Sequence, residues 1–147
     1  MNQPFMLPIA LACASAIVGC ESSHTATFGI VLHNASSQPV TAWITKTGER
    51  NADWLAPEDL ALSTKTESIN GVVIPPGKTG EMGPMSGRFG PEDAAILRIY
   101  AGQLDYDHIL ATSVKSPLRV DIALEEGTNH LEVRAGEKLD VVPTREK

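Results

Sequence analysis

Short runs in which apolar and polar residues take turns set the strongest limit on how this chain folds. "LRVDIAL" places Val120, Ile122 and Leu124 on one side and Arg119, Asp121 and Ala123 on the other. Successive side chains of an extended chain point to opposite faces, so such a run buries one face and leaves the other in water. The same alternation recurs. "TFGIVLHN" sets Phe28, Ile30 and Leu32 against Thr27, Gly29, Val31 and His33, and "PVTAWIT" sets Val40, Ala42 and Ile44 against Thr41, Trp43 and Thr45. "AILRIYAG" opposes Leu97 and Ile99 to Arg98 and Tyr100, and "NHLEVRAG" opposes Leu131 and Val133 to His130, Glu132 and Arg134. "INGVVIPPG", "HILATSV" and "KLDVV" are further strand candidates. The set predicts an all-β fold, an antiparallel β-sandwich of about seven or eight strands. The turn residues of "NASSQ" predict that the first two strands form a hairpin.

Two segments break the pattern. "ADWLAPEDLALS" groups Trp54, Leu55, Leu60 and Leu62 around Pro57, and is expected as a helical turn or an ordered loop that plugs one end of the sandwich. "GKTGEMGPMSGRFGPED" carries Gly77, Gly80, Gly83, Gly87 and Gly90 with Pro84 and Pro91, and is expected as a long, flexible crossover loop.

Charge divides the chain in two. Residues 1–20 contain no Asp, Glu, Lys, Arg or His, so all 12 basic and 18 acidic residues follow Cys20. A helix over the apolar run at residues 5–19 would span only about 22 Å, short of a ~30 Å hydrocarbon core. The run also lacks the amphipathic period of a buried core element. A signal-peptide apolar region is the better reading.

The end of that run, Ile17-Val18-Gly19-Cys20, resembles the lipobox of bacterial lipoproteins. The chemistry accounts for the order: small residues let an extended backbone enter the signal peptidase, and a thiol is needed for the diacylglyceryl thioether. The resemblance implies cleavage after Gly19 and lipidation of Cys20 as the first mature residue. Cys13 is the competitor, but Ala10-Leu11-Ala12 puts Ala where the pattern has Leu, Val or Ile. "MNQPFMLP" departs from the pattern in having no Lys or Arg: either the free amino terminus supplies the charge or translation starts upstream. The expected organisation is a removed signal peptide at 1–19, a lipidated Cys and tether at 20–26, a sandwich at 27–142 and a polar tail at 143–147. With Cys13 removed and Cys20 acylated, the mature chain holds no disulfide, thiolate metal site or cysteine nucleophile. In enterobacterial lipoproteins Asp after the acylated Cys retains the protein in the inner membrane. Glu21 stands there in this chain, which by analogy favours the outer membrane.

"VIPPGKTGEM" and "LEEGTNHLEV" resemble the turn-then-strand segments of immunoglobulin-like and fibronectin-like domains. The resemblance is diffuse, lacks a Cys–Trp–Cys marker and implies an architecture only.

The chain offers little chemistry. Its 147 residues make one domain, 42% of them are apolar, only 5% are aromatic, and the net charge is −6. An acidic chain with few stacking platforms repels a phosphate backbone, so nucleic acid is not an expected partner. Lys78-Thr79 lacks the upstream Gly of a phosphate loop, since position 72 is Val, and Ser86 stands one place too late for a nucleophile elbow. His24, His33, His108 and His130 show no metal-ligand spacing. "DYDH", with Asp105, Asp107 and His108, is the best metal candidate, and a polar turn is its plainer reading. Glu58-Asp59 and Glu125-Glu126 read as solvated surface charge. Trp43 lies on the polar register of its strand. It is expected either in the core, through a bulge that shifts Val40 and Ala42, or exposed as an anchor for a partner.

These observations predict no catalytic residue, metal or cofactor. They point to a lipid-anchored envelope protein, held to the membrane through acyl chains on Cys20, whose sandwich binds an envelope protein or glycan. Two alternatives are an envelope hydrolase or metal-binding protein, with His33, His108 or Asp105 and Asp107 meeting the loop at 80–91, and a secreted binding domain without lipid.

Overall fold

The computed structural model describes residues 22–48, 52–57, 59, 71–103, 118–136 and 138–144. They form eight strands: β1 (His24–Asn34), β2 (Val40–Lys46), β3 (Val72–Ile74), β4 (Thr79–Phe89), β5 (Ala95–Ala101), β6 (Arg119–Ala123), β7 (Gly127–Arg134) and β8 (Asp140–Pro143). One sheet has the order β4-β1-β7-β8 and the other β3-β2-β5-β6. The fold is an eight-stranded β-sandwich. It is mixed rather than purely antiparallel, because β1 and β7 run parallel, Phe28 opposite Gly127 through Asn34 opposite Val133.

The alternation read from the sequence sorts side chains as expected. Phe28, Ile30 and Leu32 of β1 and Leu131 and Val133 of β7 face inward against Val40, Ala42 and Ile44 of β2 and Leu97 and Ile99 of β5. Burial of each larger side chain contributes roughly 1.5–3 kcal/mol. "HILATSV" lies outside the described residues.

Three further expectations are corrected. First, β1 and β2 do not form a hairpin: they lie in different sheets, and the turn between them crosses the sandwich. Asn34, fully buried at the end of β1, directs the crossing. Its side-chain amide donates to the carbonyl oxygens of Gln38 (2.9 Å) and Ile74 (2.8 Å), and its Oδ1 accepts from the backbone N–H and hydroxyl of Ser36. Turn-forming residues serve a crossing as well as a hairpin, so "NASSQ" does not name the partner strand.

Second, the Gly-rich segment is no loop. Residues 79–89 form β4, paired with β1 from His24 opposite Phe89 to His33 opposite Thr79. The register shifts between Phe28 and Ile30, where Gly29 alone faces Gly83 and Pro84. This bulge reverses the alternation, so Met82 and Met85 both pack against the core although they are three apart. The glycines leave room for neighbours. A Cβ on Gly80 would lie 2.7 Å from Ile74 Cδ1, and one on Gly87 would lie 2.7 Å from Trp54 Nε1.

Third, Trp43 takes neither expected position. Pairing of β2 with β5 is regular through Trp43 opposite Arg98, and Val40 and Ala42 stay buried in the core, so no bulge moves Trp43 inward. It is half-buried on the outer face, where its indole N–H donates to the carbonyl oxygen of Leu55 (2.9 Å).

The segment around Trp54 does act as a plug, at the side of the sandwich. β3 pairs with Val40, Thr41 and Ala42, and among the described residues the rest of β2 has no strand neighbour on that side. A 3-10 turn at Ala52–Trp54 sits there, held by the Thr45 hydroxyl donating to the Trp54 carbonyl oxygen (2.7 Å). The Trp54 ring, 1% exposed, packs edge-on against Phe28 and Phe89.

Candidate functional site

Among the described residues, those singled out for chemistry do not converge. Cys20 and its preceding residues lie outside the described residues, as do Asp105, Asp107, His108 and Glu58. His33 sits on β1 with Nδ1 3.2 Å from the Thr79 hydroxyl, so it meets the first residue of a strand and not a loop face. Ser86 Oγ is 2.8 Å from Thr27 Oγ1, a cross-strand contact on the outer face. His24 lies beside Phe89, ring centroids 6.5 Å apart. Among the described residues no three His, Cys, Asp or Glu side chains stand together as metal ligands, and no helix is long and apolar enough to cross a membrane.

Buried polar chemistry serves packing. Lys46, its side chain 3% exposed, donates to the Arg88 carbonyl oxygen (2.8 Å) and to Asp93 Oδ2 (3.2 Å), with Nζ 4.9 Å from the Phe89 ring centroid. Asp93 also accepts from the Gly90 N–H (2.9 Å). That backbone bond first, and the bond from Lys46 second, hold the Asp93 carboxyl below its ordinary value against the opposing cost of partial burial. On the outer face of the second sheet, Arg119 grips Asp121 with two hydrogen bonds of 2.9 and 2.7 Å, and Arg98 Nε stands 3.3 Å from the same carboxylate.

Two surface depressions lined by described residues were missed by sequence reasoning. One, of about 300 Å³, runs between the end of β6, the start of β7 and the last residues of β8, and includes Glu125, Glu126, Asn129, His130 and Thr144. Asn129 fixes its acidic turn: Oδ1 accepts from the Glu125 N–H (2.9 Å) and Nδ2 donates to the Glu125 carbonyl oxygen (2.8 Å). The other, a notch of about 140 Å³, lies at the opposite end of the strands, among Ser36, Ser37, Gln38, Leu118, Arg134 and Lys138. Leu118 is 49% exposed there, more than the other large apolar side chains of the described core and surface, Val72 and Val73 included. Arg134 is held by Glu132 at 2.7 Å. These residues come from three separate turns, and nothing in the chain's linear order marks them as neighbours.

The fold therefore defines a small β-sandwich with a shallow notch at one end and an acidic groove nearer the other. Comparison with family models, curated proteins and solved structures finds no match for this chain.

Proposed function

We propose that this is a lipid-anchored cell-envelope protein, acylated on Cys20 and held in the outer membrane. Its β-sandwich serves binding or structural interaction with an envelope protein or glycan. The observation that carries the reading is the order Ile17-Val18-Gly19-Cys20 at the end of an uncharged apolar run, followed after three residues by the first strand of the domain. That arrangement supports a leader that ends where the folded unit begins. Acyl chains contribute ~0.8 kcal/mol per buried CH₂, so two or more chains anchor the protein without any membrane-binding face on the sandwich. The alternative of an envelope hydrolase draws less support, since the segment expected to form its loop face is strand β4.

The test is cell fractionation of wild type and Cys20→Ser, with mass spectrometry of the mature amino terminus. The expected result is a membrane-bound, acylated wild type and a soluble variant. Identical partitioning of the two, or a mature terminus after Cys20, overturns the reading.

A further inference from the structure

β1 begins at His24, not at the Thr27 where clear alternation starts. If residues 21–23 alone separate Cys20 from the strand, the tether reaches at most about 10 Å, against some 23 Å for the seven residues expected from sequence. The chain is tied down even before the strand: the Ser23 hydroxyl accepts a hydrogen bond from Arg88 Nε at the end of β4. If Cys20 is the point of attachment, so short a tether leaves the domain little room to swing.

The strand directions then decide which end is which. β1 and β7 run away from the attachment point, and β4 ends beside it, with His24 opposite Phe89. The end holding the start of β1 therefore also holds the turn at residues 90–94, the end of β2 and the turn at residues 124–126. The other end holds the Asn34 crossing, the turn at residues 75–78, Leu118 and the β7–β8 turn. An eleven-residue strand at ~3.3 Å per residue separates the two by about 35 Å.

Charge differs between the ends. The near end exposes Glu92, Glu125 and Glu126 beside Arg88, and the far end exposes Lys78, Arg134 and Lys138 beside Asp140. Three exposed carboxylates outnumber the Arg88 guanidinium there, so the near end is suited to resting at a lipid surface and not to sinking into it.

We propose that the end carrying the start of β1 is the membrane-facing surface of the anchored protein, and that the Leu118 notch is presented about 35 Å further out. This rests on the lipid-anchor reading above. The short tether and the direction of β1 set the orientation, so whatever the notch contacts is met from the side away from the membrane.

The experiment uses the full, lipidated chain in phosphatidylcholine vesicles that carry a headgroup-linked energy acceptor. A donor dye is placed on Glu92→Cys at the near end or on Ser37→Cys at the far end, both exposed positions. The expected result is energy transfer from residue 92 at least about twofold more efficient than from residue 37, given their separation along the strands. Equal transfer, or stronger transfer from residue 37, in protein that floats with the vesicles overturns the orientation and leaves the anchor standing. Processed wild type that fails to float overturns the anchor itself, and the orientation with it.

Discussion

The side-chain amide of Asn34 donates to the carbonyl oxygen of Ile74 at 2.8 Å, joining the end of β1 in one sheet to the edge strand β3 of the other. Asn34 is fully buried, and its amide and carbonyl oxygen together serve Gln38, Ile74 and Ser36. Removing the side chain strands several buried polar groups at once, each costing ~1–3 kcal/mol when left unsatisfied. Asn34→Ala is therefore expected to lower unfolding stability by about 2–4 kcal/mol, read by urea denaturation. Asn34→Asp is expected to cost more at neutral pH, because a carboxylate would face two carbonyl oxygens it cannot donate to. A loss under 1 kcal/mol for both variants would show that the crossing is held by other contacts.

The space beside Gly87 is already filled by Trp54. Gly87→Ala would put a Cβ 2.7 Å from Nε1 and 2.9 Å from Cε2 of a fully buried ring, and overpacking of this kind costs about 1–3 kcal/mol. Gly80→Ala meets the flexible end of Ile74 and should cost less. In a Trp54→Leu background the Gly87→Ala penalty should shrink, so a double-mutant cycle of urea midpoints should show coupling. Additive effects would mean the ring and the glycine do not compete for space.

The two tryptophans offer a direct optical check. Trp54 is 1% exposed and Trp43 half-buried. Trp43→Phe, which leaves Trp54 as the sole indole, should emit further to the blue and resist acrylamide quenching. Trp54→Phe should show the reverse. The Trp43 variant also loses its bond to Leu55, a net contribution of ~1 kcal/mol, and should be cut faster near residues 52–57 in limited proteolysis.

Asp93 makes a statement about pH. Its folded carboxyl is held below the ordinary value by the Gly90 N–H and then by Lys46. A lowered folded value means that the stabilisation is complete above the unfolded carboxyl value near ~3.9 and is lost as the pH falls through the lower folded value. Wild type should therefore exceed Asp93→Asn in stability at pH 5–7, by a margin that closes progressively in acid below about pH 4. Thermal melts across that range measure it. A margin that grows on acidification would reverse the assignment.

How much was legible depended on what occupied the inward positions. β1, β2, β5, β6, β7 and β8 declare themselves because Ile, Val, Leu and Phe fill alternate sites. β4 does not, because Gly80 and Gly87 stand where apolar side chains would mark the pattern, and the bulge at Gly83 and Pro84 reverses its phase. The side chains that fill those places, Ile74 and Trp54, arrive from elsewhere in the chain. The notch was equally hidden, since its residues come together only when three turns share one end of the sandwich.

Local order along the chain was enough to mark the uncharged run that ends at Cys20, the all-β fold and the inward face of most strands. Alternation of side chains reports burial within a strand, and burial is a property each residue carries by its own polarity. Strand partners are different. Backbone hydrogen-bonding groups are the same at every residue but proline, so nothing local told β1 to take β7 in parallel or to send β2 to the opposite sheet. Those choices were made by long-range packing: the Asn34 crossing, the Trp54 plug and the gaps that two glycines leave for them.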